Sequence, residues 1–306
     1  MARYYSRMWG AIKGAHLHQD CRIDMRFFAL PEDLAPYFTT FIRFDIDVPK
    51  GRKVTEQLQP EWGTLRFFTA HLPSGKIGDN PALSGARFVV SGPSSRPTHF
   101  SVGRTRMWGI GLLPLGWTRF VGVKASNFAD TLADGETTAE FAKFAPLCAH
   151  LCRGPADDDR QFAALVSFFR GIGREPRNAA RLLAVHAARV DPGQMQVADL
   201  AATAGVPKRT LERLCLRHFG FSPHVLLRRQ RLMRSLSAFM LDTQSTWSDA
   251  IDRQYHDQSH FVHEFHSFMG VSPSEYVEAP RPIMTAIMTE RQRVMGSAVQ
   301  TLDKPK

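Results

Sequence analysis

Two short stretches carry side chains able to do specific chemistry. In the first, Lys208, Arg209, Glu212, Arg213 and Arg217 recur at spacings of one helical turn, which lines them along one exposed face of a helix. Arginine forms paired hydrogen bonds with guanine in the major groove, and Lys or Arg at the edges of such a helix pairs with phosphate. The second, Asp257-Gln258-Ser259-His260-Phe261 followed by His263, offers amide, hydroxyl and imidazole groups suited to base edges. Other sets are weaker. Cys148 and Cys152 stand four apart, and His256, His260 and His263 are spaced by helical turns; packing explains the cysteines, and packing or DNA contact the histidines, better than a metal.

The elements that present these stripes are legible. Val197, Leu200, Ala201 and Ala204 make the apolar face of a short helix, and Gly205 supplies the left-handed residue of a tight turn. A second helix follows, with Pro207 in its first turn and Leu211, Leu214, Cys215 and His218 facing inward. The element Gly-x-Ser-Pro then appears as Gly220-Phe221-Ser222-Pro223 and again as Gly270-Val271-Ser272-Pro273. Its recurrence after both stripes, 50 residues apart, marks two copies of one helix-turn-helix arrangement.

Residues 194 to 277 resemble the DNA-binding domain of the AraC/XylS family of bacterial transcriptional regulators. The resemblance implies two recognition helices in adjacent major-groove segments, roughly 34 Å apart. By position in the motif, the base-reading residues are Arg209, Glu212 and Arg213 in the first unit and Gln258, Ser259 and His263 in the second. Lys208, Arg217, Arg228, Arg229 and Arg231 are backbone-contact candidates on charge. A homodimer, and RNA polymerase as a partner for an activator, are further implications. The second unit departs from the family at Gln254, where a glycine usually makes the turn, and at Asp249 and Arg253, where apolar residues are usual. Residues 208–234 hold eight basic residues against Glu212, whereas 242–278 hold seven acids against Arg253. A looser second unit is expected, with the first supplying most of the attraction to phosphate.

Upstream the periodicity changes to two. Ile42, Phe44, Ile46 and Val48 alternate with Arg43, Asp45 and Asp47, so one face is expected inward and one in water. Further strands are read at 64–69, 86–91, 98–102 and 121–124, separated by Gly- and Pro-rich turns. From Thr137, phenylalanines 141, 144, 162, 168 and 169 fall in two helices that either cover the open side of the barrel or form a dimer interface. The stretches 58–68 and 109–117, leading into Asn127-Phe128-Ala129-Asp130, resemble the β-rich sensory domains that precede this DNA-binding module. Such a barrel can enclose a small-molecule effector, with Trp62, Arg66, Phe68, Trp108 and Trp117 as lining candidates.

The predicted fold is therefore α+β: an N-terminal β-rich, cupin-like barrel or sandwich, then an all-α DNA-binding domain with two helix-turn-helix units. Boundaries fall at 1–135 for sensing and association, 136–175 for the linking helices, 176–280 for the DNA-binding domain and 281–306 for a tail with a short helix. A net charge of +10 favours a polyanionic partner such as double-stranded DNA. No apolar run is long enough to span a bilayer and four cysteines suggest no disulfide framework, so a cytoplasmic protein without membrane contact is expected. The alternative is a metal- or ligand-processing barrel enzyme fused to a DNA-binding module, with His16-Leu17-His18 as its best metal pair. His71 and His99 are isolated, and no phosphate-binding or nucleophile motif occurs in context, so the reading carries no cofactor, no metal and no catalytic residue.

Overall fold

The structure is a computed structural model that describes residues 21–191, 193, 196–242 and 246–304. The alternating segment forms β2 (Phe38–Asp47), flanked by β1 (Arg22–Phe28); β3 (Val54–Leu58), β4 (Thr64–Phe68), β5 (Ser74–Ile77), β6 (Leu83–Ser84), β7 (Phe88–Ser91), β8 (Thr98–Val102), β9 (Thr105–Leu112) and β10 (Leu132–Asp134) follow. They build two antiparallel sheets, ordered β1-β2-β9-β4-β7-β10 and β3-β8-β5-β6. Ile42, opposite Phe27 and Gly109, and Phe44, opposite Met25 and Met107, point into the space between the sheets. The expected strand at 121–124 is absent: residues Trp117–Val121 coil as a wide helical turn that ends at Gly122, φ +83°. Val121 is buried there as helix packing.

The opposite face of β2 is not in water. Helices α1 (Ala145–Arg153) and α2 (Asp158–Gly171) cover the six-stranded sheet, bringing Phe169 against Phe38 and Phe41 and Phe162 against Phe28. Asp157 caps α2 by accepting from Arg160 N at 3.0 Å. Asp158, in the first turn, pairs with Arg43 and with Arg106. A carboxylate at a helix N-terminus facing strand arginines is favourable twice over, by the helix dipole and by the ion pair. The linking helices thus roof the outer face of a sheet, not the open side of the barrel.

That open side is closed from the other end of the chain. Helix α3 (Ala179–Val190) leads into α4 (Val197–Thr203), α5 (Lys208–Leu214) with a wide turn Cys215–Phe219, α6 (Pro223–Leu241), α7 (Trp247–Ala250), α8 (Gln258–Met269), α9 (Pro273–Glu278) and α10 (Pro282–Met295). The tail, read as a short helix, instead forms α10 of 14 residues, which lies across the mouth between the sheets. Buried Glu56 on β3 accepts from the backbone N–H of Ile283 at 2.9 Å and of Met284 at 2.7 Å, capping α10. One continuous core runs from Phe38 and Phe88 of the sheet to Leu211, Phe219 and Leu226 of the first helix-turn-helix unit.

Candidate nucleic-acid interface and ligand cavity

In the first unit, Leu200 and Ala201 of α4 and Leu211, Leu214 and Cys215 of α5 are buried. Gly205 turns the chain between the helices at φ +64° with open space around its α-carbon. The same packing leaves Lys208, Arg209, Glu212, Arg213 and Arg217 exposed on one side, and the four cations have no ion-pair partner among the described residues. Leu216 is exposed beside them, 42 %. Behind this face His218 is buried. Thr118 donates its hydroxyl proton to the Pro114 carbonyl, leaving its oxygen for His218 Nδ1–H at 2.9 Å, and Asn178 donates to His218 Nε2 at 3.2 Å. That arrangement fits a neutral imidazole, and burial, with Arg217 nearby, pushes the His218 pKa down to about 4.

The second unit repeats the design with different chemistry. Asp257 caps α8 through His260 N at 2.7 Å, Phe261, Phe265, Phe268 and Met269 face inward, and Gln258, Ser259 and His263 are exposed. Val262, 37 % exposed, shares the outer surface, an apolar residue the sequence reading did not single out. Gln254 does not take up the left-handed conformation expected of it, since the described non-glycine residues with positive φ are His71 and Asp130. Side chains build the turn instead: Arg234 of α6 bonds Asp252 and reaches Gln254 at 3.0 Å, while Ser235 Oγ accepts from Asp252 N at 2.8 Å. Exposed Asp249 closes a capping box with Thr246. The turn is pinned, which removes the ground for calling the unit loose.

The two Gly-x-Ser-Pro elements have the same anatomy. Gly220 and Gly270 end their helices at φ +89° and +72°, Ser222 and Ser272 cap the next helix by accepting from Val225 N and Glu275 N, and the prolines take its first turn. Residues 200–279 match the helix-turn-helix domain family. The chain carries an AraC/XylS-type DNA-binding domain. With it the protein is a DNA-binding regulator of transcription. No curated protein matches the chain in sequence. Solved structures similar to it include ToxT from Vibrio cholerae, at 13 % identity over 74 % of this chain and 97 % of that one with a TM-score of 0.43. ToxT bound to (E)-4-(8-methylnaphthalen-1-yl)but-3-enoic acid gives 12 %, the same shares and 0.44. The AraC-like transcriptional activator CuxR gives 10 % over 70 % and 81 %, with 0.31.

Within the AraC/XylS-type domain, the basic run on α6, read on charge as contacting the DNA backbone, is engaged with groups of the protein itself. Arg229 is fully buried; it donates to the Ser94 carbonyl at 2.6 Å and lies 4.2 Å from the Trp62 ring centre. Arg228 and Arg231 converge on buried Glu264 of α8, at 2.8 and 2.6 Å, joined by Tyr255 at 2.7 Å. Burial pushes the Glu264 carboxyl up, but these bonds outweigh it and hold the group below its ordinary value. Half of the basic residues of 208–234, Arg228, Arg229, Arg231 and Arg234, are therefore engaged inside the molecule, tying the connecting helix to the second unit and to the barrel, while the other half stay exposed on and just after α5.

The aromatic candidates divide in the same way. A cavity of about 160 Å³ lies between the two sheets and α10, lined by Arg66 and Phe68 among others. Trp62, Trp108 and Trp117 lie outside it. Trp108 is on the outer face of the six-stranded sheet and donates to Gln161 at 2.7 Å; Trp117 donates to the Val123 carbonyl at 3.0 Å. Trp62 packs against the first helix-turn-helix unit, 5.9 Å from the Phe219 ring and 4.9 Å from the Arg189 guanidinium. His16 and His18 fall outside the described residues. Cys148 and Cys152 are buried with sulfurs 3.9 Å apart, and no group of three or more His, Cys, Asp or Glu side chains is arranged to hold a metal among the described residues.

Proposed function

We propose that this regulator reads two neighbouring major-groove segments through the exposed faces of α5 and α8, and that occupancy of the cavity between sheets and α10 modulates that reading. The observation that carries it is the segregation of each recognition helix into a packed apolar face and an exposed face of base- or phosphate-binding groups. Arg209, Glu212 and Arg213 read bases in the first unit and Gln258, Ser259 and His263 in the second; Lys208 and Arg217 hold phosphate. The 19 residues of α6 span about 28 Å, a length suited to setting two helices near one turn of DNA apart. Its action is binding in the cytoplasm without covalent chemistry. A homodimer, and for an activator contact with RNA polymerase, complete the reading, and sedimentation of the full chain tests the former.

Four cations on α5 and the wide turn after it, without ion-pair partners among the described residues, against a Gln, Ser, Val and His surface on α8, support an asymmetric grip. Arg213→Ala should cost about 1 to 3 kcal/mol of binding to an operator found by genome-wide footprinting, clearly more than Gln258→Ala. Lys208→Ala should lower the salt slope by about one with little change in sequence preference. Equal losses for Arg213→Ala and Gln258→Ala in a fluorescence-anisotropy titration would remove the asymmetry.

A further inference from the structure

Period-two alternation decides what faces the cavity. From β2 come Thr40, Ile42, Phe44 and Ile46, from β8 Thr98, Phe100 and Val102, and α10 adds Ile283, Met284 and Ile287. The wall is largely apolar, yet each of its charges is already matched. Arg66 pairs with Glu61 and donates to Ser91 Oγ at 2.5 Å, while Glu61 also accepts from Gln300 at 2.7 Å. Arg291 is held by Asp303 and donates to the Ser297 carbonyl at 2.7 Å. An incoming carboxylate would find no free cation and would sit near Glu61.

Three neutral polar atoms are in the opposite condition. Thr40 Oγ1, Gln59 Oε1 and Thr98 Oγ1 are buried in this wall without a hydrogen-bond partner, and Gln59 and Thr98 are each 4 % exposed. A native fold leaves few such atoms unmatched, and three around one cavity mark a place where a ligand can supply the partners. A volume near 160 Å³ is close to that of an apolar cavity that admits benzene, roughly 150 Å³.

We propose that the cavity binds a neutral, ring-sized apolar compound bearing a hydroxyl group, an alcohol or a phenol, and rejects the carboxylate of the same size. The inference rests on the reading of the cavity as the effector site. The hydroxyl, able to donate and accept, pairs with polar atoms among Thr40 of β2, Thr98 of β8 and Gln59 just past β3, while the ring fills the space under α10.

The test uses the full chain and three probes, 4-ethylphenol, ethylbenzene and 4-ethylbenzoate, titrated calorimetrically at pH 8. The phenol should bind roughly tenfold or more tightly than ethylbenzene, and the benzoate should show no saturable heat. Thr98→Val and Thr40→Val replace unpartnered hydroxyls by methyls of the same shape; each should keep or raise the melting temperature while shrinking the phenol preference to within about threefold. Ile287→Trp, filling the space from α10, should abolish binding of every probe. Benzoate bound as tightly as phenol, or phenol no better than ethylbenzene, overturns the ligand class and leaves the cavity a binding site. No binding of any probe, or phenol binding that survives Ile287→Trp, overturns the reading of the cavity as the effector site itself.

Discussion

Glu56 is a carboxylate placed where water scarcely reaches, and burial pushes its pKa up to about 7 despite the two α10 amides it caps. A carboxyl raised from an ordinary 4.5 to about 7 favours the folded state most below pH 4.5, and the advantage is lost as pH rises to 7. The magnitude is on the order of 3 kcal/mol. His218 acts with the opposite sign: its lowered pKa gives stability that is present above 6.5 and lost as pH falls towards 4. Glu56→Gln should therefore leave a protein whose urea midpoint rises more steeply from pH 5 to pH 7 than that of the parent; parallel curves would show that Glu56 does not titrate as described. Helical spacing already turns His218 inward, but the burial of Glu56 is not legible in the sequence, because charge says nothing of burial. Arg229 is the plainest case: one residue from Arg228 and two from Arg231, it points into the interior because its helical position faces Trp62 and Ser94.

At the scale of elements, the sequence is most informative where backbone geometry dictates residue type. The Gly-x-Ser-Pro element is legible because a left-handed end, a side-chain cap and a helix start without an N–H each accept few residues. The alternation of β2 is equally legible, but Gly109 and Gly111 blur it in β9 by removing inward side chains. The second turn hid its construction, since Arg234, Ser235, Asp252 and Gln254 cooperate only once α6 and α7 are packed. The two element-ending glycines should respond differently to the same change. At Gly270 a β-carbon meets nothing within 4 Å, so Gly270→Ala should cost about 1 to 2 kcal/mol for the left-handed backbone alone. At Gly220 it would also lie 2.5 Å from Pro93 Cγ, so Gly220→Ala should cost more in chemical denaturation. Equal losses would mean that the contact with Pro93 yields freely.

At the scale of the whole molecule, three contacts between the halves add to the core they share. The Trp62 ring lies 4.9 Å from the Arg189 guanidinium and 4.2 Å from that of Arg229, both fully buried and pushed down to about 9 chiefly by burial. Gln57 donates to the Met269 carbonyl at 2.8 Å and Arg96 to the Ser267 carbonyl, holding the end of α8. The third contact is α10 on the barrel mouth. Trp62→Ala would leave a void and two cations without their ring, a loss of about 3 to 5 kcal/mol. The melt should then separate into two transitions as the halves uncouple; a single transition shifted by less than about 1 kcal/mol would assign the coupling elsewhere.

Closure of the barrel by α10 also sets a schedule for synthesis. Glu56 finds its partner Ile283 only 227 residues later, so the β-rich domain leaves the ribosome with an open mouth lined by Ile42, Phe44 and Phe100. Until residues 282–302 have been made, nothing in α10 can cover that apolar lining, the kind of exposed surface that makes a folding chain prone to aggregate. A message cut short before codon 282 would yield a protein with both helix-turn-helix units and an unroofed cavity.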